Sequence, residues 1–182
     1  MRKPFVILFI LLFAMVVACV SQPPSPKAAA AKEKVGVYDS RAIILAYFGT
    51  PHFIAWMDEL MARYQKAKTD GNEEAMKAAN AEGEARQRKL HTQAFSTAPV
   101  DDALEAIKDQ LPGIAKQAGV GPIISKWDKA SLAKHAGAEQ VDITMALVEA
   151  FHPIERQRKI IPEVLKTEPL PLEEVEKMPV DD

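Results

Sequence analysis

Cysteine is nearly absent: Cys19 is the only one in 182 residues, so no internal disulfide can form. Charge of one sign is also missing in bulk. The formal net charge is −2, which excludes the broad basic footprint of a nucleic-acid binder. No GxSxG, Walker loop, GxGxxG or HExxH occurs. The four histidines, His52, His91, His135 and His152, share no ligand spacing, so packing or surface roles are expected of them and no metal. With Cys19 committed elsewhere, as argued below, no thiol nucleophile remains. No catalytic residue and no cofactor are therefore expected, and the chain reads as a non-enzyme.

Long apolar runs are missing except at the start. Arg2 and Lys3 precede an uncharged apolar stretch from Phe5 to Ala18. That stretch is short for a membrane span and fits the core of an export signal. It ends in Val16-Val17-Ala18-Cys19, which closely resembles the bacterial lipobox, whose cysteine becomes the lipidated first residue of the mature chain. Residues 1–18 are thus expected to be a lipoprotein signal peptide, with Cys19 as the lipidation site and membrane anchor. Stable anchoring needs several acyl chains, since each buried methylene adds only ~0.8 kcal/mol, and bacterial lipoproteins as a class carry three. Val20, rather than Asp, follows the cysteine, which by resemblance to the sorting rule favours the outer membrane facing the periplasm. Residues 19–33 hold the cysteine and a linker kept extended by Pro23, Pro24 and Pro26.

The organising stretch is Lys34-Val-Gly-Val-Tyr-Asp-Ser-Arg-Ala-Ile-Ile44. Val35 and Val37 alternate with Gly36 and Tyr38, the period of a half-buried strand. Ser40 is placed to cap a helix through Phe48, and Gly49 to end it in a left-handed conformation. Thr50-Pro51 starts the next helix. Its apolar stripe, Phe53, Trp56, Met57, Leu60, Met61 and Tyr64, reads as core packing.

Thr69-Asp-Gly-Asn72 signals a turn. Beyond it, residues 73–95 are rich in helix formers but apolar only at Met76, Ala79, Leu90 and Ala94. Such a helix needs a partner. Pairing antiparallel with the preceding helix across the turn gives arms over residues 51–95. One continuous helix frayed at Gly71 is the alternative. Arg86, Arg88 and Lys89 read as a solvated face. Glu73-Glu74 and Asp101-Asp102 sit where helix N-termini favour acids.

Asp101 opens a helix that restarts at Pro112 and ends at Gly119. Residues 120–127 form the second strand, with Pro122 at its beginning or marking an edge. Residues 131–134 are expected to form a third. Val141 ends a strand that leads into a helix capped by Asp142 or Thr144 and stopped near Pro153. Residues 34–38 should lie beside residues 121–126, because Val35 and Val37 need cover and ladder partners.

Residues 153–182 change character. From Glu163 onward there are seven acids against two lysines, with Pro169, Pro171 and Pro179. A short helix interrupted by Pro162 is expected over residues 154–166, and a mobile, proline-rich acidic tail from Glu163 onward. The chain from Cys19 carries 21 basic and 25 acidic residues, a net of −4, so the tail accounts for the acidity.

Two pieces resemble the OmpH/Skp family of periplasmic chaperones. Lys34-Val-Gly-Val-Tyr-Asp-Ser-Arg looks like that family's first strand and turn. Residues 120–151, especially Val141-Asp-Ile-Thr-Met-Ala-Leu-Val, look like its closing strands and last helix. The resemblance covers residues 34–151. It implies a mainly helical α+β fold with a small β-sheet body over 34–152, an extended helical hairpin, and assembly into homotrimers. Residues 51–95 hold seven basic and seven acidic residues, whereas the family's arms are markedly basic. The function expected is a membrane-tethered envelope protein that binds unfolded or partner proteins. A structural lipoprotein docking one envelope partner is the alternative. An enzyme using Tyr38, Asp39, Ser40 and Arg41 is a third, although those residues read first as a turn and cap.

Overall fold

A computed structural model describes residues 32–179. The expected signal peptide, Cys19, and linker residues up to Ala31 lie outside the described residues, as do Val180, Asp181 and Asp182. Glu33, placed in the linker above, belongs to the body: its carbonyl accepts from Glu139 N and its carboxylate meets His135 Nδ1 at 2.8 Å.

The chain is mainly helical around a three-stranded sheet in the order β2-β1-β3, all parallel. β1 (Lys34–Tyr38) is central. β2 (Ile123–Ser125) pairs with it in the expected place, Gly36 beside Ile123 and Val37 beside Ile124. Gly121 N to Lys34 O and Lys126 N to Tyr38 O extend that ladder at both ends. β3 (Glu139–Asp142) covers the other side, with Gly36 beside Val141.

The alternation along β1 sorts its side chains between two cores. Val35 and Val37 pack with Ile124, Leu132 and Ala138 under α6 (Lys129–Ala133). Tyr38 faces the main core with α1 (Ser40–Tyr47) and α7 (Thr144–Ala150). Gly36 lies on that same face, where a Cβ would sit 2.7 Å from Ile143 Cδ1 and 3.0 Å from Val120 Cγ2. The helix α6 corrects the strand expected over 131–134. Asp128 accepts from Ser131 N at 2.9 Å and starts a helix in a stretch that lacks β-branched residues.

Two further corrections concern α1. Its cap is Asp39, whose Oδ1 accepts from Arg41 N, and Ser40 is already helical. Gly49 is not left-handed; only Gly71 and Gly119 have positive φ among the described glycines. Gly49 instead makes room for Gln157, whose amide would lie 2.9 Å from a Cβ there. From that position Gln157 Nε2 donates to Leu45 O and Ala46 O, satisfying carbonyls at the end of α1.

α2 (Pro51–Thr69) is capped by Thr50, and α3 (Glu73–Phe95) by Asn72. They form a helical hairpin turned at Gly71, as expected from the turn residues. Its antiparallel register shows in Leu60 meeting Gly83 and Arg63 gripping Glu82 through two hydrogen bonds of 2.8 and 2.7 Å. The stripe on α2 is a core stripe only in part: Phe53 packs on the main core, and Trp56 and Tyr64 are half-buried. Leu60 is buried, but Met57 and Met61 are 40% and 51% exposed. α3 is too thin in apolar residues to cover more than one side of α2.

α4 (Asp101–Leu104) runs into one 3-10 turn, and α5 (Leu111–Ala118) restarts at Pro112 and ends at the left-handed Gly119. The C-terminal residues pack on the body rather than hanging from it. α8 (Glu155–Val164) continues through Pro162 and buries Ile161 against α1. The single turn α9 (Leu172–Val175) lies on α3 and buries Val175. Low apolar content hid this docking, which rests on single side chains.

Candidate functional site

The dense polar cluster at Tyr38–Arg41 sits at the carboxyl end of the central strand, the place where open parallel sheets keep their ligand crevices. The strand ends at Tyr38, and the chain turns into α1 through Asp39. Asp39 is fully buried and Arg41 is 3% exposed. Asp39 Oδ1 accepts from Arg41 N and Arg41 Nε, both at 3.1 Å. Oδ2 accepts from a terminal Arg41 nitrogen at 2.8 Å and meets Lys126 Nζ at 2.6 Å. Asp39 N donates to Thr144 Oγ1 at 3.0 Å. One residue thereby joins β1, α1, the end of β2 and the start of α7. Trp127 completes the cluster, its ring 4.7 Å from Lys126 Nζ and 5.7 Å from the Arg41 guanidinium.

Electrostatics fixes what Asp39 can do. Burial pushes its carboxyl up, but the hydrogen bonds and charges of Arg41 and Lys126 outweigh burial and hold it below the usual carboxylate range. Four donors occupy the four acceptor positions of the carboxylate. Such a group has neither the basicity nor a free lone pair for proton abstraction. Its geometry is that of a clasp.

Beside the clasp is a cleft of about 380 Å³ lined by Tyr38, Thr97, Asp101, Ser125, Trp127 and Asp128, among others. Burial and the nearby carboxylates of Asp101 and Asp128 push the Tyr38 phenol up to about 12. It stays protonated at neutral pH and serves as a hydrogen-bond donor or acceptor, not a base.

A second network fixes the root of the hairpin. Arg86 donates to Asp102 and to the Tyr47 hydroxyl, both at 3.3 Å, and lies 5.4 Å from the Trp56 ring. Lys89 meets Asp102 at 2.9 Å, and the buried Gln93 donates to Asp102 Oδ1 and Pro99 O at 2.8 Å. Burial pushes the Asp102 carboxyl up, but Lys89, Gln93 and Arg86 together hold it below its ordinary range. Of the expected solvated face, Arg88 fits, paired only with Glu84 in the same helix, while Arg86 and Lys89 bind α3 to α4.

The histidines lie apart. His52 lies near the Tyr47 ring, His91 packs against Phe95, His135 meets Glu33, and His152 takes a positive φ of 54° after α7. Among the described residues no group of three or more His, Cys, Asp or Glu could hold a metal ion. Sequence reasoning placed Asp39 and Arg41 together and set residues 121–126 beside β1, but gave Lys126, Trp127 and Thr144 no part in the cluster. The observed strand ends at Ser125, which leaves Lys126 and Trp127 at its carboxyl end beside Asp39 and Arg41. Compared with protein-family models, curated proteins and solved structures, the chain finds a match in none of the three.

Proposed function

We propose that this chain is a lipid-anchored cell-envelope protein whose helical hairpin binds apolar segments of unfolded or partner proteins without catalysis. The anchor is Cys19, the location the periplasmic side of the outer membrane, and the assembly a homotrimer of the OmpH/Skp kind. The observation that carries the reading is the outward stripe of α2. Ile54, Met57 and Met61 follow one another at three- and four-residue spacing on one helix face, and all are exposed. Methionine adapts its unbranched, polarisable side chain to irregular surfaces, which suits a face that accepts varied apolar segments. The saturated, buried Asp39 supports the non-catalytic reading, since it removes the cluster's one candidate base.

The test is suppression of aggregation by residues 27–182, scored by light scattering with a reduced, unfolding client protein. The triple variant Ile54→Asp, Met57→Asp, Met61→Asp should lose suppression while keeping the wild-type thermal transition. Undiminished suppression by a folded triple variant would overturn the reading.

A further inference from the structure

The C-terminal segment crosses α3 where that helix is most basic. Between Ala85 and Phe95 the helix carries Arg86, Arg88 and Lys89 and no acid. The segment 168–178 carries Glu168, Glu173, Glu174 and Glu176 against Lys177 alone. A groove of about 290 Å³ lies between them, lined by Arg88, Lys89, His91 and Thr92 from α3 and by Val175, Glu176 and the half-buried Met178 from the segment.

The hold on this surface is slight. Val175, 2% exposed, is the one buried residue of α9. Leu170 N donates to Phe95 O and Ser96 Oγ to Leu170 O, both at 2.8 Å. Among the described residues, none of the four glutamates forms an ion pair with α3. Arg88 is paired with Glu84 and Lys89 with Asp102. A four-residue helix between prolines does not persist alone. The segment is thus opposite in charge to this stretch of α3 without a direct ion pair to it, the cations there being held by Glu84 and Asp102, and Val175 is its one buried apolar side chain.

We propose that the Arg88–Thr92 side of α3 is a docking surface for an acidic segment of a partner protein with one apolar anchor. The chain's own residues 168–178 hold that surface as an internal competitor. An incoming segment seats an aliphatic side chain where Val175 lies and brings carboxylates to Arg88 and Lys89. Internal occupancy lowers the partner's apparent affinity by the fraction of time the surface is covered. This surface is on α3, separate from the α2 stripe.

The experiment uses a fluorescent peptide of residues 167–179 and the full chain in mild detergent, read by anisotropy. Val175→Asp in the chain releases the internal segment, so the peptide should bind that variant at least about tenfold more tightly than wild type. Binding should weaken as salt rises. It should be lost when the peptide's four glutamates are replaced by glutamine, or when the peptide itself carries Val175→Asp. Ser96→Ala removes one hydrogen bond from the body side and should give an intermediate affinity, which covers the case of a Val175→Asp chain that fails to fold. Ile54→Asp, Met57→Asp, Met61→Asp should leave peptide affinity unchanged, so that failure here and failure of the α2 reading are told apart. Equal affinity for wild type and both releasing variants, or undiminished binding of the glutamine peptide, would overturn the proposal.

Discussion

Lys126 Nζ meets Asp39 Oδ2 at 2.6 Å, joining the residue after the edge strand β2 to the residue after the central strand β1. Arg41 already neutralises that carboxylate, so the clasp carries one cation more than anions. The arrangement holds because Lys126 is partly exposed and pays little desolvation, while Asp39 is fully enclosed.

Replacing Asp39 by Asn should therefore be costly. It leaves Arg41 buried without its counter-charge, a change that costs about 3–5 kcal/mol. Its pH signature has a definite sign. The folded carboxyl titrates below its unfolded counterpart, so its stabilisation is complete above the unfolded value of about 3.9 and is lost as pH falls through the lower folded value. Urea midpoints of wild type should drop in acid, and those of Asp39→Asn should drop less steeply. Parallel pH profiles would remove the clasp from the account of stability.

Gly36→Ala should destabilise the body by about 1–3 kcal/mol through overpacking. The new methyl meets Ile143 Cδ1 at 2.7 Å and Val120 Cγ2 at 3.0 Å. Ile143→Val deletes the nearer atom, so the double variant should recover part of the loss. A double-mutant cycle in urea with zero coupling would show that the two residues do not meet.

The two buried aliphatics of the C-terminal residues should differ in weight. Ile161 is enclosed in the main core with α1, and its truncation to Ala should cost about 2–5 kcal/mol. Val175 lies on a single-turn helix against α3, outside the main core, and Val175→Ala should cost less. Deleting residues 167–182 should lower the thermal transition only by the share that Val175 and the hydrogen bonds of Leu170 to Phe95 and Ser96 supply. A deletion as damaging as Ile161→Ala would make the segment part of the core.

Cys19→Ser should abolish labelling by a fatty acid and release the protein from membranes or leave it unprocessed. Persistent labelling of the variant would refute the lipobox reading.

Much of the body was legible where the signal is local or where only one partner is chemically suitable. Val35 and Val37 required a β-branched neighbour, and Ile123 and Ile124 supplied it within the expected segment. Asp70-Gly71-Asn72 announced the hairpin turn. Residues whose roles depend on distant partners were not legible. The strand pairing brought Lys126 near Tyr38 but did not announce its ion pair with Asp39, and nothing next to Gly49 points to Gln157. The stripe on α2 misled because periodicity reports a face and not what covers it; Met57 and Met61 lie on a helix whose partner is too slender. Val175 misled oppositely, since Leu172, Val175 and Met178 among acids and prolines make too short a run to mark a packed face.

The strand order has a temporal consequence. β1 comes first among the described strands and is central in space, while both strands that flank it come after the hairpin. A nascent chain that has emerged only as far as Phe95 has its hairpin but neither neighbour of β1, and Val35 and Val37 remain uncovered until Ile124, Leu132 and Ala138 follow. Long-range pairing of this kind slows folding, because loop closure must precede any reward. The hairpin is free to mature early, while the body closes in one late step, when the last strand arrives to flank the first.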